Sequence, residues 1–225
     1  MIIDCISDLH GQHPKLTGGD LLLIAGDYTP SDKIYQWALF FRWLKEQKYK
    51  KKIIVAGNHD NMMATGFPKC QQEADALKDL QELEEDCEYL CDSGTEYKGV
   101  KIWGSPWTST FPGINPHCTA FTCESDDQLS DKWDLIPNDT DILITHSPPK
   151  GIFDQVMSRN GGIICTGSIS LLQRVYDVSP KMHIFGHIHE HGGSRVEIGN
   201  TTFINCSVLN GQYKLKNKPV RFKYK

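Results

Sequence analysis

The sequence has no long apolar run and no strongly charged segment. Nowhere in its 225 residues do about 18 apolar residues follow one another, so we predict no membrane-spanning helix. The first residues show no basic segment before a long apolar one, which argues against a signal peptide. The net charge is only -4, whereas a nucleic-acid-binding face usually requires a strongly basic domain. We therefore expect one cytoplasmic domain, residues 1–225, without a membrane or nucleic-acid partner.

The eight cysteines form no metal-binding pattern. No two of them are separated by two residues, and neither Cys87 with Cys91 nor Cys118 with Cys123 has the spacing of a structural zinc site. Because no secretion signal is predicted, we expect reduced thiols that mostly fill small spaces in the core. Disulfides are the alternative if the protein is exported.

Apolar residues at helical spacing predict three helices. Residues 32–48 form the first, with Ser31 or Asp32 as its cap and its aromatic residues in the core. Residues 71–85 form a second, with one acidic face, and residues 169–176 form a third.

Short apolar runs predict strands along the whole chain. The predicted strands are residues 2–6, 21–25, 53–56, 89–90, 95–97, 100–103, 141–145 and 182–185, closed by antiparallel strands at 195–198, 202–205, 212–215 and 220–224. Residues 105–133 are rich in Pro, Thr, Ser and Cys and predict a long surface loop. Residues 50–52, three lysines, predict a solvated turn.

Polar side chains with metal-binding or acid–base chemistry follow five of the apolar runs. In chain order they are Asp8, His10, Asp27, Asn58, His59, His146, His187 and His189. Because ligands bind where strand ends converge at one edge of an α/β sheet, we expect these side chains to meet in one cleft. The set offers nitrogen and oxygen donors without thiolate, which suits Mn, Fe, Zn or Ni.

Each short motif has an ordinary structural interpretation when taken alone. Asp8-Leu9-His10 is typical of a capped turn, and Gly26-Asp27 is a common turn dipeptide. His187 and His189 alone are as typical of surface histidines as of ligands. The functional prediction depends on the joint occurrence of the motifs, in one order, each at the end of an apolar run.

The joint pattern resembles the calcineurin-like metallophosphoesterase family. Its signature is D-x-H, G-D, G-N-H-D/E, a lone His and G-H-x-H. The matching residues here are Asp8-Leu9-His10, Gly26-Asp27, Gly57-Asn58-His59-Asp60, His146 and Gly186-His187-Ile188-His189. Short flanking segments around positions 104–107, 145–149 and 185–190 also resemble the subgroup that includes fetal-brain-type class III cyclic-nucleotide phosphodiesterases.

The resemblance implies a fold and a set of residue roles. The fold is α/β, a β-sandwich of two mixed sheets flanked by helices. Two divalent metal ions are implied, with manganese expected first and Fe, Zn or Ni as alternatives. The implied ligands are Asp8, His10 and His189 for one ion, Asn58, His146 and His187 for the other, and Asp27 as the bridge.

The implied activity is hydrolysis of a small phosphorylated substrate by a metal-bridging hydroxide. His59 then donates a proton to the leaving alkoxide, and Asp60 orients His59 and keeps it charged. A structural histidine and a helix cap are the alternatives for these two residues. The bond attacked is a phosphodiester, for example in a cyclic nucleotide, or a phosphomonoester. Alternative functions are a catalytically silent interaction scaffold and a nuclease.

Several conspicuous residues have a structural interpretation instead. His183 lies in an apolar strand and predicts a buried, hydrogen-bonded histidine. Trp107, Phe111 and Trp133 are candidates to stack on a nucleobase, but loop packing is the preferred interpretation.

Overall fold

The computed structural model describes residues 1–65, 87–110, 118–158 and 160–224. Within these ranges the strands are β1 (Ile2–Ile6), β2 (Gly19–Ala25), β3 (Tyr49–Val55), β4 (Cys87–Leu90), β5 (Ser93–Tyr97), β6 (Val100–Ser105), β7 (Thr108–Ser109), β8 (Thr122–Cys123), β9 (Ile142–Thr145), β10 (Gln155–Met157), β11 (Ile163–Cys165), β12 (Met182–Phe185), β13 (Arg195–Ile198), β14 (Thr201–Asn205) and β15 (Val220–Lys223). The helices are α1 (Ile34–Glu46), α2 (Asn61–Thr65), α3 (Asp126–Trp133) and α4 (Ile169–Val178), and a short 3-10 helix covers His189–His191.

Two large mixed sheets carry most of these strands. The first has the order β15-β1-β2-β3-β4, in which β1 to β4 are parallel and β15 is antiparallel to β1. The second has the order β13-β14-β12-β9-β6-β5, with β14, β12, β9 and β6 parallel and both outer pairs antiparallel. The predicted pair of mixed sheets flanked by helices is confirmed.

The main core lies between the two sheets. Alternating residues of β1, β2 and β3, such as Ile3, Leu23 and Val55, pack in one buried cluster with Ile144 of β9 and Ile184 of β12. Each such aliphatic side chain contributes about 1.5–3 kcal/mol when it is fully buried. This packing between the sheets therefore fixes the positions of the central strand ends of one sheet relative to those of the other.

Helices cover the outer faces of the sandwich. On the first sheet α1 buries Trp37, Phe40 and Phe41, as its aromatic spacing predicts. On the second sheet Trp133 of α3 and Leu171 of α4 pack into a third cluster. The two layers of helices cover the faces of the sheets, whereas the carboxyl ends of the central strands continue into the connecting loops.

The start of α1 corrects the predicted cap. The helix begins at Ile34, and neither Ser31 nor Asp32 caps it. Instead the Gln36 side chain reaches back and accepts a hydrogen bond from the backbone N–H of Lys33 at 3.1 Å, while Asp32 accepts from the Trp37 indole at 2.8 Å. The third helix, α4, is confirmed, and the Ser168 hydroxyl caps it by accepting from the Leu171 N–H at 3.0 Å.

Four other sequence predictions need correction, and one cannot be compared. The predicted loop at 105–133 contains β7, β8 and α3, and residues 50–52 belong to β3, where Lys52 is buried. Residues 212–215 form a turn rather than a strand, because Asn210 accepts backbone hydrogen bonds there. The closing strand β14 is parallel to β12 and antiparallel only to β13. The predicted helix at 71–85 lies outside the described residues.

The thiols are more varied than predicted. Cys5, Cys123 and Cys206 are buried free thiols, whereas Cys165 is exposed. In the part of the chain that the structure describes, no helix is long and apolar enough to cross a membrane.

Candidate metal centre

The predicted site residues converge at the carboxyl ends of strands from both sheets. Asp8 follows β1 and Asp27 follows β2 in the first sheet, whereas His146 follows β9 and His187 follows β12 in the second. The expectation of a single sheet edge is therefore corrected: the cleft lies where the strand ends of two packed sheets meet. The cause is the inter-sheet core, which brings these ends together.

The backbone at the site adopts an uncommon conformation. Asp8, His10, Asp27 and His187 have positive φ angles of 55°, 40°, 59° and 67°. Non-glycine residues rarely occupy this region, and such strain persists where surrounding structure over-determines it, as at functional sites. Here a hydrogen bond from Asp8 N–H to Gly26 O at 3.0 Å and one from His10 N–H to Asp27 O at 3.0 Å hold the loops after β1 and β2 together.

Two glycines of the motifs lie so close to a carboxylate of the site that a side chain would not fit there. A Cβ at Gly57 would lie 2.3 Å from Asp27 Oδ1, and a Cβ at Gly186 would lie 2.3 Å from Asp8 Oδ2. Real Cβ atoms do not approach oxygen this closely, so any side chain there would displace a carboxylate of the site. The glycine of each motif thus makes room for the carboxylate of another.

The first group of donors consists of Asp8, His10 and His189, whose ligating atoms lie within 4.8 Å of one another. His189 Nε2 is 3.2 Å from Asp8 Oδ1, and the His187 backbone N–H donates to both Asp8 oxygens at 3.1 and 3.0 Å. Burial raises the pKa of Asp8, but the neighbouring His189 outweighs it and lowers the pKa to about 2. Asp8 is therefore a carboxylate at neutral pH.

The second group of donors surrounds His146, which is fully buried. Its Nδ1–H donates to the Ala25 carbonyl at 2.8 Å, so Nε2 faces the site, 3.0 Å from Asn58 Oδ1 and 3.2 Å from His187 Nδ1. A histidine fixed through one nitrogen in this way is typical of a metal ligand.

Asp27 lies between the two groups. Its Oδ2 is 3.6 Å from His10 Nε2 and 3.5 Å from His146 Nε2, and its ligating atoms group with those of His146 and His187 within 4.8 Å. Burial raises the pKa of Asp27, but the surrounding histidines, His146 first, hold it well below the usual range. One carboxylate oxygen thus faces donors on both sides.

The site fits divalent cations on its own chemistry. His10 Nε2 is buried without a hydrogen-bond partner among the described residues, which is costly unless another group binds it. Burial lowers the pKa of His10 to about 4 and that of His187 to about 3, so both offer lone pairs at neutral pH. His146 is the exception: burial lowers its pKa, but Asp27 outweighs burial and raises it to about 9. A cation that binds His146 Nε2 must therefore displace the proton that the Asp27 carboxylate favours there.

His59 and Asp60 do not form the predicted pair. Asp60 is fully buried and accepts hydrogen bonds from the backbone N–H groups of Gly57 at 2.7 Å, Asp27 at 2.9 Å and Tyr28 at 3.1 Å. Its carboxylate therefore fastens the loop after β3 to the loop after β2, because both loops turn their amides toward it.

His59 instead has a thiol as its neighbour. Its ring Nδ1 lies 3.3 Å from Cys118 Sγ, and its ring Nε2 lies 3.9 Å from Asp27 Oδ2. The backbone N–H of His59 donates to Asp27 Oδ1 at 3.0 Å. Its ring also groups with His10 and Asp27 within 4.8 Å, so proximity alone does not distinguish His59 from the seven predicted ligands. His59 is partly exposed, as is His187, whereas His10, His146 and His189 are buried.

A cavity of about 220 Å³ opens over the centre. Its described lining includes Asp27, Asn58, His59, His187 and His189, together with residues that the sequence interpretation missed: Cys118, Val156, Met157, Ile188, Glu190, Gly211 and Tyr213. Most of the missed residues come from β10, the loop before β8 and the turn after β14, where no short motif marks them. Ile188 and Glu190 instead lie within and directly after the G-H-x-H motif, which marks its histidines but not these neighbours.

For the remaining conspicuous residues, the sequence favoured a packing role over a functional one. His183 is buried and lies 2.9 Å from Thr145 Oγ1, as predicted. Trp133 is buried with its indole donating to Ser168, and Trp107 donates to Asp92 and packs edge-on against Phe121. Phe111 lies outside the described residues.

The chain matches the model of the calcineurin-like phosphoesterases over residues 1–191. It is 35% identical to metallophosphoesterase domain-containing protein 1 of Homo sapiens over 231 residues, which cover 96% of this chain and 68% of that protein. It is 37% identical to UPF0046 protein T07D4.2 of Caenorhabditis elegans over 241 residues, 97% of this chain and 58% of that one.

Solved structures share the fold. The phosphopantetheinyl hydrolase of Mycobacterium tuberculosis aligns with a TM-score of 0.62 at 14% identity, covering 94% of this chain and 90% of that one. TT1561 of Thermus thermophilus aligns with a TM-score of 0.59 at 16% identity, covering 91% and 88%.

Proposed function

Since this chain belongs to the calcineurin-like phosphoesterase family, and so to a family of metal-dependent phosphoester hydrolases, we propose that it is a binuclear phosphodiesterase. The observation that carries the proposal is the position of Asp27, whose Oδ2 lies 3.6 Å from a nitrogen of the first donor group and 3.5 Å from one of the second. A carboxylate shared by two donor groups is what a two-metal centre requires.

The proposed ligands divide as the two donor groups do. Asp8, His10 and His189 hold one ion, Asn58, His146 and His187 hold the other, and Asp27 binds both; manganese is our first choice of metal. When bound, the two cations lower the pKa of water to supply the nucleophile and neutralise charge on the phosphate.

His59 is our proposed general acid. Its side chain is 16% exposed and lines the cavity, so it can reach a substrate oxygen, and its Nε2 lies 3.9 Å from the Asp27 carboxylate. We propose Asp60 as a positioning residue, since it binds the backbone amides of Gly57 and Asp27 in the loops after β3 and β2.

The lining of the cavity favours diesters over monoesters. A monoester dianion has three non-bridging oxygens and one more negative charge than a diester, so it gains more from a cationic side chain beside the two metal ions. No Lys or Arg lines the cavity among the described residues, and the exposed Glu190 adds a negative charge at its wall. A diester monoanion places only two such oxygens there and needs no further cation.

The test is a substrate panel on metal-loaded protein. Metal content is measured first, and turnover is then compared for bis-p-nitrophenyl phosphate, 2′,3′-cyclic and 3′,5′-cyclic nucleotides, linear diesters and monoesters. We expect two metal ions per chain and faster turnover of diesters than of matched monoesters. Metal-loaded protein that hydrolyses neither class would contradict the proposal and support the scaffold function.

A further inference from the structure

Tyr213 is held beside the metal centre in an unfavourable backbone conformation. Its φ is 55°, in the left-handed region that bulky side chains rarely adopt. An aromatic residue in this region is a genuine outlier, and the strain must be offset by the surrounding contacts.

The turn that carries Tyr213 is braced from the first metal-binding loop. Gln12, two residues after His10, donates from Nε2 to the Tyr213 carbonyl at 2.7 Å and accepts the Leu215 N–H at 3.2 Å. Within the turn, Tyr213 N–H donates to Asn210 O at 2.8 Å, and Asn210 Oδ1 accepts from another backbone amide of the turn. These bonds fix the backbone of the turn from which the aromatic ring projects.

The ring lies against two proposed ligands and is still half exposed. Its centroid is 5.0 Å from that of His10 and 4.7 Å from that of His189, and 49% of the residue is accessible. An aromatic ring that only packed against the histidines would be more deeply buried, whereas this one keeps a surface toward the cavity that it lines.

Other apolar residues continue this surface. Val156 and Met157 of β10 and Ile188 line the same cavity, and Met157 is 73% exposed. Methionine adapts its shape and makes favourable contacts with aromatic rings. The wall beside the phosphate position is therefore largely apolar, with Glu190 as its charged member, and no described Lys or Arg contributes to it.

We propose that Tyr213 is a specificity-determining residue that, together with Met157, receives an aromatic group carried by the phosphoester. The inference rests on the proposed phosphoesterase function, because the subsite adjoins the metal centre. It adds that aryl-bearing phosphoesters bind more tightly than alkyl ones of equal charge.

The experiment compares two non-hydrolysable anions, phenylphosphonate and methylphosphonate. Their binding to manganese-loaded protein is measured by calorimetry for the wild type and for Tyr213→Asn, a residue that tolerates positive φ. We expect the wild type to prefer the phenyl compound about tenfold, the scale of one aromatic pair plus burial, and Tyr213→Asn to lose the preference. Tyr213→Phe should retain it, and so should Tyr176→Ala, which removes an exposed tyrosine of α4 outside the cavity lining.

Other results overturn the proposal. Equal weakening of both phosphonates in Tyr213→Asn would mean that the ring only supports His10 and His189. No phenyl preference in the wild type would exclude the subsite outright.

Turnover separates this inference from the proposed function. Bis-p-nitrophenyl phosphate and methyl p-nitrophenyl phosphate share a leaving group, so a loss in Tyr213→Asn for the first alone places the subsite at the retained ester group. A loss for both, with methylphosphonate binding unchanged in that variant, places it at the leaving group. Phenyl preference without turnover of either diester would sustain the subsite and contradict the phosphodiesterase; turnover without phenyl preference would do the reverse.

Discussion

At the scale of single residues, the proposed metal centre depends on the backbone conformation, the burial and the neighbours of each side chain. Asp27 sits at positive φ, is 2% exposed, and has histidine nitrogens of both donor groups within 3.6 Å of one oxygen. His59 has a thiol rather than a carboxylate at Nδ1. The roles proposed for these two residues can be separated by substitution.

Replacing Asp27 by Asn should remove the bridge while preserving side-chain size. We expect metal content to fall below two ions per chain and kcat/KM to fall by about 100-fold or more, since even outer partners of metal ligands are worth 10–100-fold. Elemental analysis and diester turnover measure the two effects. The control is Asp139→Asn, which removes an exposed carboxylate paired with Lys101. Full metal content in Asp27→Asn would argue against the bridging role.

Replacing His59 by Ala should slow alkyl-leaving diesters more than nitrophenyl-leaving ones, because nitrophenolate departs without a proton. General acids contribute about 10²–10⁴-fold, so we expect a loss of that order only for alkyl leaving groups. Single-turnover rates measure it, with His13→Ala, a histidine stacked on Trp43, as the control. Equal losses for both leaving groups would exclude His59 as the acid.

At the scale of elements, the loops after the strands hold one another in place. The Asp60 carboxylate joins the loops after β2 and β3 through three backbone amides. The loop after β12 presses Gly186 against Ser7 and Asp8, which follow β1.

Replacing Asp60 by Ala should destabilise the fold, because three buried amides lose their acceptor. An unsatisfied buried donor costs about 1–3 kcal/mol, so we expect the free energy of unfolding to fall by about 3 kcal/mol or more. Asp60→Asn keeps one acceptor oxygen and should have an intermediate effect. Urea denaturation measures both; a change within about 0.5 kcal/mol, typical of surface substitutions, would contradict this role.

Replacing Gly186 by Ala should disturb the first donor group. The new Cβ would lie 2.0 Å from Ser7 Oγ and 2.3 Å from Asp8 Oδ2, so Asp8 must move. We expect weaker metal binding and a loss of roughly 1–3 kcal/mol in stability. Gly162→Ala is the matched control, since its Cβ would meet only Ser158 Oγ at 3.5 Å. Unchanged metal affinity in Gly186→Ala would argue against the close approach.

At the scale of the whole molecule, the proposed ligands link the two sheets. The first sheet supplies Asp8 and Asp27, and the second supplies His146 and His187. The two ends of the described chain also meet, because β15 pairs with β1 and the Met1 amino group donates to Tyr224 O at 2.8 Å. This closure supports our proposal that residues 1–225 are one domain.

Removing metal should therefore lower the thermal stability of the entire chain. A ligand present at 100 times its Kd stabilises the native state by about 2.7 kcal/mol, which corresponds to a Tm change of about 5–10 °C at this size. Calorimetric scans with and without chelator measure the change. Asp27→Asn should reduce the difference, and an equal chelator effect in that variant would contradict a shared bridge.

The sequence by itself determined which residues are candidates for the proposed chemistry. Asp8, His10, Asp27 and His146 each follow an apolar run, and a strand end is a local feature that such a run marks in the chain. The central strands, α4 and the pair of mixed sheets implied by the family resemblance all appear in the structure.

Only the tertiary structure decided which groups face one another. That the cleft spans two sheets, that Asp60 binds amides, that Cys118 lies beside His59 and that Tyr213 lines the cavity all depend on contacts between distant segments. Residues 212–215 show the reason: their pattern predicts a strand, but Gln12 donates a hydrogen bond to the Tyr213 carbonyl and Asn210 accepts one from the Lys214 amide, which makes a turn. Local periodicity encodes an element, whereas its partners are chosen by packing between segments about 200 residues apart.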